Sequence, residues 1–299
     1  MSGNKAKFHW PGHKRVAVCA TVMLEVWSDG KAPQYSTQTS ALKPGQTAYS
    51  NITWSHYGAY AGAWRVMRTL SDFGMRGTFA TNARAAELFP DTVRQIVKSG
   101  HDIAAHGITQ DAPLIDLSPA DEQAAIRRCV TTFEALTGKR PEGWISPVLA
   151  WTPHTLEFLV QEGLRWCGDV NYVDQPRRLR TQSGTLIGIP VTEFSDLRVL
   201  RSSPRDFVDF YRDTFDYLYE HEPNSLITFV THCHWGGRAG LVAVLRQVLK
   251  YFAQFPDVWF TSHGEIARWV DECGVDGESY AERFFGAEQG PAFVAPAPP

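Results

Sequence analysis

Short apolar runs alternate with amphipathic helical stretches along most of this chain, and that rhythm leaves few folds open. Parallel neighbouring strands need a long crossover between them, usually a helix, and the crossovers keep one hand. The runs at 16–24, 77–80, 102–105, 143–146, 165–168, 186–191, 225–231 and 258–261 read as strands. The stretches 58–73, 90–99, 118–136, 152–163, 204–222, 241–255 and 263–271 read as helices. Ser118-Pro119 gives the 118–136 helix a start signal and Gly138 gives it a stop. About eight strands interleaved with helices predict an α/β protein whose mostly parallel sheet can close into a barrel. Residues 1–299 are expected to form a single domain with its core at about 8–271, followed by a loosely ordered Gly/Pro/Ala tail at 286–299.

Composition narrows the function. At 299 residues and 43% hydrophobic content the chain can bury one large α/β core. A net charge of −3, with no basic run, argues against nucleic acid or an anionic membrane surface as a partner. The chain holds no apolar run long enough to span a bilayer. Residues 1–7 are polar and lack the apolar centre of a signal peptide, so a cytoplasmic location is expected. Cys19, Cys129, Cys167, Cys233 and Cys273 form no CxxC pair, which fits reduced thiols. A homo-oligomer is expected, as for many soluble enzymes.

In parallel α/β folds the chemistry collects where strands end at the carboxyl edge. Here those positions carry Glu25, His106, Asp169 and Asp174, Glu193 and Asp196, and His232 and His234. Glu25 closes the apolar run Val22-Met23-Leu24, so its carboxylate is desolvated and needs a partner. His101 and His106 stand five apart around 102–105, which puts them on opposite faces of a strand and not on one metal. His232 and His234 alternate and share a face. Together Glu25, His106 and His232 suit acid–base work on a hydrolytic water, or a divalent ion such as zinc. Trp27, Trp54, Trp151 and Trp235 lie in loops near strand ends and suit the wall of an apolar pocket. The irregular stretch 28–56 is long enough to be a lid or a subunit contact.

Several short motifs, in order, resemble the NodB-homology polysaccharide deacetylase superfamily. They are Trp10-Pro11-Gly12 with Lys14-Arg15-Val16-Ala17-Val18, Tyr57-Gly58 with Gly62-Ala63-Trp64-Arg65, Gly77-Thr78-Phe79-Ala80-Thr81-Asn82-Ala83, residues 100–107, Thr137-Gly138-Lys139-Arg140-Pro141-Glu142-Gly143-Trp144, and Thr231-His232-Cys233-His234. The likeness runs from about residue 8 to 271 and is strongest to the branch of deacetylase-like allantoinases and peptidoglycan deacetylases. It implies a distorted (β/α) barrel, often of seven barrel strands, and hydrolysis of a carbon–nitrogen bond other than a peptide bond. It implies that Glu25 stands at the first-motif aspartate, His106 at the first histidine of the second motif and His232 at the late general acid. The second-motif histidine falls on Gln110, beside Asp111, which removes a standard metal ligand. Tyr60, and the absence of an arginine after Trp144, depart from the allantoinase pattern and argue against allantoin as substrate.

These readings make Glu25, His106 and His232 the expected catalytic residues. Trp27, Tyr57, Arg65, Trp151, Asp174, His234 and Trp235 are the expected substrate contacts. Any metal is expected on Glu25, His106 and either Asp111 or His232. The first expected substrate is a small, possibly cyclic, amide, ureide or imide. An amino-sugar polymer undergoing N-deacetylation is the alternative, and a catalytically inactive binding barrel is the third reading.

Overall fold

The computed structural model describes residues 8–33, 35–36, 43, 45–192, 194–274 and 279–287. Glu193, the polar residues 1–7 and most of the 286–299 tail lie outside the described residues. The strands are β1 (Val16–Leu24), β2 (Gly77–Thr81), β3 (Asp102–Ala105), β4 (Gly143–Trp144), β5 (Trp166–Cys167), β6 (Arg177–Arg180), β7 (Thr185–Gly188), β8 (Ser225–His232) and β9 (Val258–Thr261). The helices are α1 (Tyr49–Tyr57), α2 (Ala63–Asp72), α3 (Ala83–Leu88), α4 (Pro90–Lys98), α5 (Pro119–Thr137), α6 (Thr155–Gln161), α7 (Arg205–His221), α8 (Ala239–Phe252), α9 (His263–Cys273) and α10 (Tyr280–Phe285).

Seven parallel strands run in the order β7-β5-β4-β3-β2-β1-β8, and they form the distorted (β/α) barrel. The ring closes without a full ladder. The chain after β7 follows β8, tied by a single parallel bridge between Ser195 and Val230. Thr228 adds two side-chain bonds there, accepting from Thr192 N–H at 2.9 Å and donating to Pro190 O at 2.8 Å. β6 lies outside the ring, antiparallel to β7. β9 pairs with the first half of β1, below the point where β2 begins to pair with the second half.

Alternation along β1 separates two apolar layers. Val16, Val18, Ala20, Val22 and Leu24 pack outward with the helices, among Leu70, Phe133, Phe215 and Phe252. Ala17, Cys19 and Met23 turn into the barrel with Ala80, Ala104, Ile145, Trp166, Ile187 and Val230. Ile266, Ala267 and Val270 of α9, with Phe8 and Trp10, plug the amino-terminal mouth. Each of the larger aliphatic and phenyl side chains contributes about 1.5–3 kcal/mol through burial. The barrel is therefore solid at one end, and only the carboxyl-terminal mouth is left for chemistry.

Three sequence expectations need correcting. The stretch 28–56 is not wholly irregular, since α1 begins at Tyr49; its buried residues Asn51, Trp54 and Ser55 do not make an apolar stripe, so periodicity could not show it. The helix expected over 58–73 is interrupted by a π turn at Gly58–Gly62. The strands expected at 143–146 and 165–168 shorten to two residues each. Among the described residues no helix is long and apolar enough to cross a membrane.

Candidate active site

The ends of β1, β3 and β8 meet at the open mouth of the barrel. Asn82 locks the first two together: it accepts Val26 N–H at 2.9 Å and donates to His106 O. Gln110 N–H closes the same corner on Val26 O at 2.8 Å. At β8 the neighbouring turn is set by glycines of the π segment. A Cβ on Gly62 would sit 1.8 Å from Cys233 O, so only glycine lets the helical layer lie directly against the Thr231–His234 strand end. π turns recur at functional sites for this kind of local fit.

Glu25 is 3% exposed and three histidines surround it. Its Oε1 lies 3.6 Å from His106 Nε2 and 3.8 Å from His232 Nε2; its Oε2 lies 3.8 Å from His234 Nδ1. The two front imidazoles are each oriented from behind. His106 Nδ1–H donates to Ile145 O at 2.6 Å, which turns Nε2 toward Glu25. His232 Nδ1–H donates to Asp196 Oδ1 at 2.6 Å, while Asp196 Oδ2 accepts His232 N–H at 2.8 Å and the Thr231 hydroxyl at 3.2 Å.

Electrostatics divides the roles. Burial alone would raise the Glu25 carboxyl, but the charge of His232 and the contacts with His106 and His234 hold it down at about 2, so it is ionised at neutral pH. Burial alone would lower His232, but the carboxylates of Asp196 and Glu25 on its two sides raise it above the usual imidazole range. His232 is thereby kept as a proton donor and Glu25 as an acceptor.

A resident metal does not fit this donor set. Gln110 puts an amide where the family pattern has an imidazole. Asp111 accepts from Ser28 N–H at 2.8 Å and pairs with Lys31 at 3.2 Å. Among the described residues no three His, Cys, Asp or Glu side chains are set to hold an ion.

Above these groups opens a cavity of about 1100 Å³ lined by Glu25, His106 and His232, with Trp27, Tyr35, Gln110, Asp111 and Ser146 on its walls. Trp27 and His234 thus belong to this centre, the first in the wall and the second behind Glu25. The other expected substrate contacts fall elsewhere. Tyr57 is covered by the Arg238 guanidinium at 4.1 Å and bonded by Arg65. Trp151 packs on the outer core. Trp235 Nε1–H donates to Asp196 O at 3.0 Å, behind the site. Asp174 accepts from the Tyr280 hydroxyl at 2.5 Å beside a second cavity under the barrel seam. Proximity to a strand end in sequence does not say which way a segment turns: the end of α1 at Tyr57 and the loops of Trp151, Asp174 and Trp235 turn away. Two contributors carried no usable signal in the sequence. Tyr35 sits mid-loop, and Asn82 has the composition of an ordinary helix cap.

Residues 52–167 match the polysaccharide deacetylase family. A peptidoglycan deacetylase of Helicobacter pylori is 20% identical over 259 residues, covering 75% of this chain and 88% of its own. The crystal structure of a probable polysaccharide deacetylase from Pseudomonas aeruginosa superposes with a TM-score of 0.80 at 25% identity, covering 88% of this chain and 93% of that one. That of Puue allantoinase superposes with a TM-score of 0.79 at 26% identity over the same shares. Within this barrel, residues 52–167 carry a polysaccharide deacetylase domain of the NodB type, that of hydrolases of carbon–nitrogen bonds other than peptide bonds.

Proposed function

We propose that the chain removes the acetyl group from an N-acetylated amino sugar. The observation that carries this reading is the match of residues 52–167 to the polysaccharide deacetylase family, on a barrel whose Glu25, His106 and His232 line an open cavity of about 1100 Å³. The peptidoglycan deacetylase relative supports the same substrate class.

In this reading a water held between Glu25 Oε1 and His106 Nε2 attacks the amide carbonyl carbon. Glu25 accepts the water proton. The carbonyl π electrons move to oxygen, and the Gln110 side-chain amide offers that oxygen a donor from the cavity wall. His232 gives its Nε2 proton to the amide nitrogen as the C–N bond breaks, and acetate and a free amine leave. Each acid–base group of this kind contributes roughly 10²–10⁴-fold. Because the donor set does not fit an ion, the chain's own residues carry every step.

A second reading, opening of a small cyclic ureide or imide, is favoured by the likeness to the allantoinase structure. A panel decides between them. Acetate release from N-acetylglucosamine oligomers, with no turnover of hydantoins, imides or allantoin, is expected. Ring opening without acetate release would replace the first reading by the second, and turnover of nothing in the panel would refute both.

A further inference from the structure

Behind Glu25 lies an imidazole that the steps above do not use. His234 is completely buried. Its Nδ1 is 3.8 Å from Glu25 Oε2, and its Nε2 is 3.1 Å from the Tyr35 hydroxyl. The rings of Trp27 and Trp54 stand 5.6 and 5.0 Å from it. Neither Glu25 Oε2 nor His234 Nδ1 has a hydrogen-bond partner.

The geometry selects one tautomer. A neutral imidazole has one N–H and one bare nitrogen. If the proton sat on Nε2, a bare Nδ1 would face the carboxylate, lone pair against lone pair, in a site without solvent. If Tyr35 donates to Nε2, the proton sits on Nδ1 and points at Glu25 Oε2.

We infer that Tyr35 and His234 are a positioning pair for Glu25. Tyr35 fixes the His234 tautomer, and His234 Nδ1–H steadies Oε2, so that Oε1 is the oxygen presented to His106, His232 and the attacking water. The pair explains why a fully buried histidine alternates with the acid His232 on the same strand end. It also ties the base to a tyrosine of the cavity wall. This inference rests on the reading of Glu25 as the base.

Two measurements test it. Nitrogen-15 shifts of His234 in the intact protein, assigned by loss of the signal in His234→Asn, should show the neutral Nδ1–H tautomer. Tyr35→Phe should mix in the other tautomer. An Nε2–H tautomer or an imidazolium at neutral pH, or shifts indifferent to Tyr35→Phe, would overturn the pair whatever the substrate is. Kinetics on N-acetylglucosamine oligomers add the second arm. His234→Leu should lower kcat about tenfold, the scale of leaving a buried polar group without the N–H aimed at it, with KM unchanged. His234→Asn keeps an N–H at the Nδ1 position and should recover most of that loss, and Tyr35→Phe should then have no further effect. His234→Leu within about threefold of wild type, or no recovery in His234→Asn, would refute the positioning role. Full activity in Glu25→Gln would instead refute the base assignment, while the tautomer result would stand by itself.

Discussion

Asp196→Asn isolates the part of the mechanism that the sequence left most obscure. The carboxylate accepts three bonds, from His232 Nδ1–H at 2.6 Å, His232 N–H at 2.8 Å and the Thr231 hydroxyl at 3.2 Å. A carboxamide of the same shape has one acceptor oxygen in place of two and no charge. A hydrogen bond to a buried charge contributes about 1.5–3 kcal/mol, and about 1.4 kcal/mol corresponds to tenfold in rate. Losing the charge behind His232 should therefore lower kcat/KM by roughly 10–100-fold. The change also has a pH signature. His232 acts as an acid, so activity is present while it is protonated and fades as pH rises through its folded-state value. Asp196 is the strongest of the groups that raise that value. Its removal should move the alkaline limb of the kcat/KM profile to lower pH. Glu25 remains on the other side of the ring, so the shift is partial. Steady-state kinetics between pH 5 and 10, with circular dichroism to confirm folding, make the assay. A loss smaller than about threefold, or a limb that stays in place or moves upward, would refute the Asp196–His232 arrangement as the acid.

Further outcomes follow from the same geometry. Glu25→Gln and His232→Asn should each lower kcat by at least about 10²-fold without unfolding the barrel, and activity within threefold of wild type in either would remove its role. Gln110→Ala should lower kcat by roughly 10–100-fold if its amide faces the developing oxyanion, whereas a change confined to KM would place it in substrate binding alone. Dialysis against a chelator should leave activity unchanged, and loss of activity restored by zinc would overturn the argument that these donors do not hold an ion. Asp169, raised by burial to about 6, binds its proton more tightly folded than unfolded. Stability should therefore fall by about 3 kcal/mol on this account as pH rises from about 4 to 6. Asp169→Asn should remove that slope in chemical denaturation, and an unchanged slope would show that other groups carry it.

The parts of the fold written in local chemistry were legible. β3 and β9 begin and end where the apolar runs do, and Ser118 and Gly138 bound α5 as its N-cap and left-handed C-cap. What was not legible depends on contacts far apart in sequence. α1 carries no amphipathic stripe because its buried face is partly polar, and β6 is a run rich in arginine that pairs only because β7 returns beside it. The same division holds at the site. Glu25, His106 and His232 stood out as polar groups ending apolar strands. Asp196 stood out as a strand-edge carboxylate, yet its bond to His232 spans 36 residues and comes from the barrel closure. The end of α1 at Tyr57 and the loops of Trp151, Asp174 and Trp235 face directions that nothing in their composition foretells.

The central claim is that water, activated by Glu25 and completed by a proton from His232, cleaves an amide without a bound metal. It is tested most directly by turning over N-acetylglucosamine oligomers in oxygen-18 water with chelator-treated protein. The account predicts acetate carrying one oxygen-18 atom and one free amine per acetate, at the rate of untreated protein, with both products lost in Glu25→Gln. Acetate formed only after zinc is restored, or formed at an undiminished rate by Glu25→Gln, would contradict it.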